Sequence, residues 1–592
     1  MNFRHNNRKL VNILREKIDQ KTFLIIACLI VGVISGLAAA LLKKVVHFFQ
    51  QEPKFLFDKL GIHFISHFTP LAGILLSLLI IKLIFSGYIS KGLGNVIYSI
   101  LRKNSEIPRR NIFSHMLTSG VTIGMGGSAG LEAPIVVMGA SIGSNIGKEL
   151  KLNYNAKTLL LACGAAAGIS AIFNSPIAGV IFSIEVLLPE VTVSSFIPLI
   201  ISSASSAVLS KFLYSGQLFY LVTEGWQLYA IPYYILLGIL CGFISLYMIK
   251  TTIYLEHLAE KYKRKYFKAL IGGIILCAII YIVPPLFGEG YSTVITLLSG
   301  HYKDLLTGSI FSSISNPEIA LLIFSALIIV TKVIATSLTI DSGGNGGIIA
   351  PSLFTGSVAG FFLAHAAAYF GLIQLNHVNF IVVGMAGVLS GVLHAPLTGI
   401  FLIAEITGGY VLIVPLMIVT ALSLFISRYF HPYSIYTTSL ANKGIHFRSE
   451  KEKYFVQQLK LNELIEKDFV KIKPYMTFRQ LVEQITKTKR NLFPVIDNNE
   501  KLVGIVTLDD VREVMIDTEV YDVILVNEVM NTNFESVDIS KDVNEVVRIF
   551  EEKQIWNLAV TDNNKYVGFI SKSNIFNKYI SIWAQHKKDD II

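Results

Sequence analysis

A chain of 592 residues that is 53% apolar and only 16% charged has too little polar surface for a soluble globule, so most of it must face lipid or other apolar helices. Its net charge of +10 does not point to nucleic acid, because the cations sit in short polar loops and at the ends and form no basic face interleaved with aromatics. The cysteines Cys28, Cys163, Cys241 and Cys277 lie far apart in apolar segments, with neither disulfide nor metal-ligand spacing.

In chain order, residues 1–21 form a basic segment with Arg4, Arg8, Lys9, Arg15, Lys17 and Lys21, the mark of a cytoplasmic end. The run behind it lacks the small-residue cleavage pattern of a removable leader. A helix needs about 20 apolar residues to cross a hydrocarbon core about 30 Å thick. Leu24–Leu42, Leu71–Phe85, Tyr233–Ile249, Ala269–Val283 and Ile319–Ile334 meet or approach that length. Glycine and proline cut other apolar stretches at Gly124–Pro134, Phe173–Pro176, Gly343–Pro351 and His394–Pro396. In lipid such breaks strand backbone N–H and C=O groups unless protein or a water-filled cavity satisfies them, so broken helices mark a polar pathway. The membrane region is read as 22–440, a linker as 441–460, and a soluble tail follows.

The breaks repeat. Gly126-Gly-Ser-Ala-Gly-Leu-Glu-Ala-Pro134 matches Gly343-Gly-Asn-Gly-Gly-Ile-Ile-Ala-Pro351, and Phe173-Asn-Ser-Pro-Ile-Ala-Gly-Val-Ile-Phe-Ser-Ile-Glu185 matches Leu393-His-Ala-Pro-Leu-Thr-Gly-Ile-Phe-Leu-Ile-Ala-Glu405. The two pairs are offset by 217 and 220 residues, so the membrane region is a duplication. Interrupted segments at matching places in two halves point to a transport site at the repeat interface. Glycine serving only close helix packing would explain single sites but not the paired Gly-rich-then-Pro pattern. The tail holds a second duplication, Phe493–Thr507 against Leu558–Ser571, each copy reading as strand, Asp-Asn turn, strand and helix behind an amphipathic helix.

A helix N-terminus presents unpaired N–H groups and the positive end of the macrodipole, so it attracts anions without a formal cation. Glycine ahead of it lets an ion approach the backbone, and proline in the first turn removes an N–H that would be unpaired anyway. Gly130–Pro134 and Gly346–Pro351 fit this pattern, and Ser90–Gly94 is a third candidate, with Lys91 adding positive potential. A cation site would need clustered acids or carbonyls. Glu132 lies inside the break, where an intramembrane acid is a functional candidate; the plainer reading is a carboxylate that complements the dipole. Lys332 either snorkels or caps a helix end, or adds positive potential to an inner vestibule. Glu185 and Glu405 occupy equivalent places and suggest packing and capping at the repeat interface. His394 reads as a hydrogen-bonded helix-end residue.

With the paired signatures and Tyr436 near the end of the last membrane helix, the sequence resembles the CLC family of chloride channels and proton-coupled chloride exchangers over about Val31 to Leu440. The resemblance implies an all-α polytopic membrane protein with an inverted-repeat core of broken helices, working as a homodimer with one pore per subunit. It implies that Glu132 is the gating and proton-accepting glutamate, that Gly130, Leu131 and Ala133 flank it, and that Gly347, Ile348, Ile349 and Ala350 form the matching anion-binding helix start. Tyr436 matches the tyrosine whose hydroxyl faces the central anion, and Gly92, Leu93 and Gly94 match a Gly-Ser-Gly element. Leu131 replaces the usual basic residue, Ala133 a glycine and Ile349 a phenylalanine. Leu93 stands where the family has serine, which removes a hydroxyl ligand and leaves backbone donors to hold the ion there. Val186 replaces the proton-relaying glutamate of exchangers, which favours a passive channel over an exchanger coupled to protons.

The tail copies, 461–520 and 526–584, resemble an α/β CBS pair, a module that often binds adenine nucleotides. Thr507 and Asp510 fit its phosphate and ribose positions, whereas the second copy has Ser571 and Asn574. Asn serves ribose hydroxyls less well than an acceptor-only carboxylate, so one competent site at most is expected; a purely structural dimerising tail is the alternative. The function expected is transport of chloride or a similar small anion across the cell membrane, by passive conduction or in exchange for protons, with both termini cytoplasmic and no cofactor beyond that nucleotide. A divalent-cation (magnesium) transporter with CBS regulation would need a ring of acids that the sequence lacks, and a membrane enzyme would need a nucleophile or metal pattern that is likewise missing.

Overall fold

The computed structural model describes residues 19–60, 67–87, 89, 92–188, 193–213, 225–443, 461–512, 514–516, 518–553 and 555–578. The N-terminal cations up to Lys17, Ser90 and Lys91, the linker from 444 and the end of the second CBS copy beyond 578 lie outside the described residues. The chain divides into two compact units, Met1–Phe447 and Arg448–Ile592.

Among the described residues, the named elements of the first unit are all helices. Its first half runs α1 (Gln20–Leu60), α2 (Thr69–Leu83), α3 (Gly94–Arg102), α4 (Arg110–Gly124), α5 (Glu132–Glu149), α6 (Tyr154–Phe173), α7 (Pro176–Phe182) and α8 (Val193–Leu213). The second half runs α9 (Ile231–Glu260), α10 (Lys265–Ile282), α11 (Tyr291–Leu298), α12 (Pro317–Asp341), α13 (Ile349–Tyr369), α14 (His377–Leu393), α15 (Pro396–Ile406), α16 (Ile413–Phe430) and α17 (Thr438–Ala441). Among the described residues, eight helices are long and apolar enough to cross a membrane. Apolar side chains such as Leu83, Val208, Phe212, Phe425 and Tyr429 are exposed, the surface a lipid-embedded protein presents. This is a multi-pass integral membrane protein.

All four expected interruptions fall between helices, and each has a local cause. Asn174 ends α6 and His394 ends α14, both in the left-handed conformation with φ of 57° and 56°, and the next helix starts two residues on at Pro176 or Pro396. His394 is thus a helix-end residue, 3.5 Å from the Ser427 hydroxyl. The long helices of each repeat meet through glycine. A Cβ on Gly139 of α5 would lie 2.0 Å from the Gly164 carbonyl oxygen of α6, and one on Gly356 of α13 would lie 2.2 Å from that of Gly384 in α14. With Gly143 and Gly360 one turn on, each repeat holds a Gly-x-x-x-Gly stripe that permits backbone contact.

The second unit holds α18 (Leu461–Leu464), α19 (Phe478–Thr486), an antiparallel pair β1 (Leu492–Ile496) and β2 (Leu502–Thr507), α20 (Leu508–Val511) and α21 (Val526–Val529). It continues with β3 (Ser536–Asp538), α22 (Val543–Glu552), β4 (Asn557–Asp562) and β5 (Lys565–Ser571), in the order β3-β4-β5 with β3 parallel to β4. The copies exchange edges: Glu466 pairs with Phe569, and Asn531 with Ile505. A shared core of Ile496, Leu502, Ile505, Ala559, Tyr566 and Phe569 joins the two hairpins.

Candidate functional site

The duplicated glycine loops meet each other. The Gly130 N–H donates to the Gly347 carbonyl at 2.9 Å, and the Gly347 N–H returns a bond to the Gly130 carbonyl at 2.7 Å. This antiparallel bridge sets the first turns of α5 and α13 face to face. A Cβ on Gly130 would lie 2.7 Å from the Ala350 Cβ, and one on Gly347 would lie 2.6 Å from the Ala133 Cβ, so both positions require glycine. Neither helix start has a side-chain cap of its own. Leu131, Ala133, Ile348, Ile349 and Ala350 are buried there and supply apolar walls and main-chain donors.

Glu132 is fully buried, and its carboxylate reaches across to the other repeat. One oxygen accepts from the Ala350 N–H of α13 at 3.3 Å, and the other accepts from the Tyr291 hydroxyl at 2.5 Å. A negative group therefore already sits where the α13 dipole and amides favour one. Tyr436 is 7% exposed and lies within electrostatic reach of Glu132, and its buried hydroxyl finds no hydrogen-bond partner among the described residues. The 92–94 turn joins from the other side: Gly92 has φ +77°, and a Cβ on Gly94 would lie 3.0 Å from the Tyr436 carbonyl oxygen. Leu93 is fully buried and contributes its carbonyl to Val96 and Ile97. The segments 92–94, 130–133 and 347–350 thus converge around Glu132 and Tyr436.

Sequence reasoning passed over one segment. Between α10 and α11, residues 284–290 fold back so that the Gly288 N–H donates to the Gly126 carbonyl at 3.1 Å. This loop supplies Glu289, whose carboxylate accepts from the Leu131 N–H at 3.3 Å, and leads into Tyr291. Lys332 ties the loop to the first repeat: its ammonium donates to the Ser128 hydroxyl (2.9 Å) and to the Gly288 (3.1 Å) and Glu289 (3.4 Å) carbonyls, above the Phe354 ring. It is fully buried, which corrects the snorkelling reading, and it caps a glycine turn, not a helix end. Glu132, Glu289 and Lys332 interact electrostatically as one cluster, and Lys43 of α1 reaches Glu289 as a second cation. The available signal was an acid between Pro-Pro and Gly, the same rule that singles out Glu132.

Glu185 and Glu405 form a reciprocal pair. Glu185 accepts from the Leu397 (3.0 Å) and Thr398 (2.8 Å) N–H groups at the start of α15, while Glu405 accepts from Ile177 (3.0 Å) and Ala178 (2.8 Å) at the start of α7. Each carboxylate takes the donors just behind the helix-opening proline of the other repeat. Val186 beside Glu185 is buried.

In the tail, Thr507 and Asp510 form a capping box, with the Thr507 hydroxyl 2.7 Å from the Asp510 carboxylate. In the second copy the Ser571 hydroxyl donates to Glu466 at 2.8 Å, and the Asn574 amide donates to the Leu464 carbonyl at 2.8 Å. Arg490 bridges Glu466 and Asp468, and its guanidinium holds the Asp468 carboxyl below the usual carboxylate range.

Two inverted halves whose broken helices point their amide ends at one buried carboxylate define a polytopic membrane transport protein. The family described as voltage gated chloride channel matches residues 72–428, more than half the chain, and CBS domains match 461–517 and 526–581. This chain belongs to the voltage-gated chloride channel (CLC) family and carries a C-terminal CBS pair. Members of that family are channels or transporters, not enzymes. Among relatives, a putative chloride channel protein ClcB-like from Ralstonia nicotianae is 26% identical over 389 residues, covering 63% of this chain and 85% of the relative. An H(+)/Cl(-) exchange transporter ClcA from Salmonella paratyphi B is 29% identical over 338 residues, 54% of this chain and 66% of the relative, so just under two thirds of that protein is spanned. Among solved structures, a slow cyanobacterial Cl-/H+ antiporter superposes with a TM-score of 0.61 at 23% identity, over 72% of this chain and 98% of that one. A eukaryotic CLC transporter superposes with a TM-score of 0.59 at 19% identity, over 95% and 98%. At those identities the structural matches speak for the fold.

Proposed function

We propose that this protein moves chloride or a closely similar monovalent anion across the cell membrane, with Glu132 as its gate. The observation that carries the reading is the Glu132 carboxylate held by the Ala350 amide at the α13 helix start. A carboxylate bound by those donors occupies the place a permeating anion would take, so its protonation or withdrawal opens that place. Backbone amides on Gly130–Ala133 and Gly347–Ala350, with the Tyr436 hydroxyl, are the proposed ligands, and Leu93 lines the inner approach without a hydroxyl.

Passive conduction is the favoured form, because Val186 is apolar and Glu185 is engaged with Leu397 and Thr398. A second reading, exchange against protons, draws on Glu289 beside Leu131 and on the exchangers among the relatives. Nothing in the comparisons favours the divalent-cation alternative. The protein is proposed to work as a homodimer. The basic stretch Lys261–Lys268, which spans the α9–α10 turn and the start of α10, supports placing that junction on the cytoplasmic side with the termini. An adenine nucleotide is proposed to bind the tail at Thr507 and Asp510.

Chloride efflux from proteoliposomes, with and without valinomycin and with proton movement recorded, tests the reading. Wild-type protein should release chloride, and Glu132→Gln should remove the pH dependence of the flux. Coupled proton uptake would select exchange over conduction. Passage of sodium or magnesium with no anion flux would overturn the proposal.

A further inference from the structure

Building on the proposed anion pathway, we infer that Tyr291 is a specificity-determining anion ligand, whose hydroxyl donates to the anion that replaces the Glu132 carboxylate.

The Glu132 carboxylate is a stand-in for the permeating ion, and the groups that hold it are the groups the ion would meet. Besides its own main chain, two described groups donate to it: the Ala350 amide and the Tyr291 hydroxyl, at 3.3 and 2.5 Å. The amide comes from the duplicated helix start. The hydroxyl comes from the first residue of α11, positioned by the 284–290 loop, which has no counterpart among the duplicated breaks. A second, independent observation marks the same place as a ligand position. The Tyr436 hydroxyl is buried with no hydrogen-bond partner among the described residues, and it lies within electrostatic reach of the same carboxylate. Two phenolic hydroxyls therefore flank Glu132 in a region where Leu93 offers none.

The placement of Tyr291 is built, not incidental. Gly290 ahead of it has φ +91°, and a Cβ there would lie 2.5 Å from the Phe354 ring, so the turn into α11 is fixed. Lys332 holds the carbonyls of Gly288 and Glu289 just upstream. The Tyr291 ring is 7% exposed, which keeps water from competing for the anion. A neutral hydroxyl suits a passing anion, because a hydrogen bond to a charged acceptor is strong while no opposite charge traps the ion.

The test uses full-length purified protein in the Glu132→Ala background, where the carboxylate no longer competes, with chloride binding measured by calorimetry. Adding Tyr291→Phe should weaken chloride binding about tenfold, the loss of one hydrogen bond to a charged partner in a buried site. Equal chloride affinity with and without the hydroxyl would overturn the inference while leaving the transport proposal intact. If wild-type protein shows no anion flux and the Glu132→Ala protein binds no anion, the transport proposal itself fails. Should the phenylalanine variant fold poorly, site-specific 3-fluorotyrosine at position 291 gives the opposite perturbation at nearly constant size. Its more acidic hydroxyl should tighten chloride binding, and unchanged binding would overturn the inference.

Discussion

Lys332 shows how a single side chain can set the charge of a buried cluster. Its ammonium has three acceptors and no exposure, and two carboxylates lie within electrostatic reach. Lys332→Met keeps the length of the side chain but removes the cation that reaches both Glu132 and Glu289, leaving only Lys43 in electrostatic reach of Glu289, and removing one partner from a buried charged set costs about 3–5 kcal/mol. The variant should melt well below wild type in detergent and pass chloride more slowly, because repulsion at the helix starts then opposes anion approach. Adding Glu289→Gln removes one of the excess charges and should restore part of the melting temperature. No recovery in the double variant would mean that the ammonium acts through packing on Phe354 and not through charge.

At the scale of elements, short helices that open with proline need donors to be satisfied from outside, and the two repeats do this for each other. Glu185 takes the first free amides of α15, and Glu405 those of α7. Capping interactions at helix starts are worth about 1–2 kcal/mol each. Glu185→Ala and Glu405→Ala should each lower the melting temperature and leave anion selectivity unchanged; altered selectivity would place these residues in the pathway. The double variant should fall short of the sum, since α7 and α15 pack on each other. These elements also show what the sequence made legible. The breaks were readable because Gly, Pro and the matched Glu positions occur twice, and duplication separates signal from accident. The 284–290 loop occurs once, so Glu289 and Tyr291 read as loop and core until the fold returned them to Glu132. Lys332 stayed ambiguous because its three acceptors come from segments 44 and 204 residues away, a distance periodicity does not span.

Over the whole molecule, both units are duplications joined by exchange between copies: helix caps and a glycine bridge in the membrane unit, strand edges in the tail. Exchange makes the two copies of the tail unequal as well. Glu466, contributed to the second hairpin through Phe569, places its carboxylate on the Ser571 hydroxyl, so a phosphate arriving there meets a like charge. The Thr507 and Asp510 side chains bond to each other in their own capping turn, a contact a ribose and phosphate can share. One nucleotide per tail is the expected stoichiometry. The tail has hydrophobic clusters of its own, so the Leu461–Trp583 fragment is a fair test object. A ligand at 100 times its dissociation constant stabilises a folded domain by about 2.7 kcal/mol. AMP or ATP should therefore raise the melting temperature of the fragment by several degrees. Asp510→Ala should abolish the shift, because the ribose loses its acceptor, while Asn574→Ala should keep it. A fragment that melts at the same temperature in millimolar nucleotide would make the tail a structural pairing module.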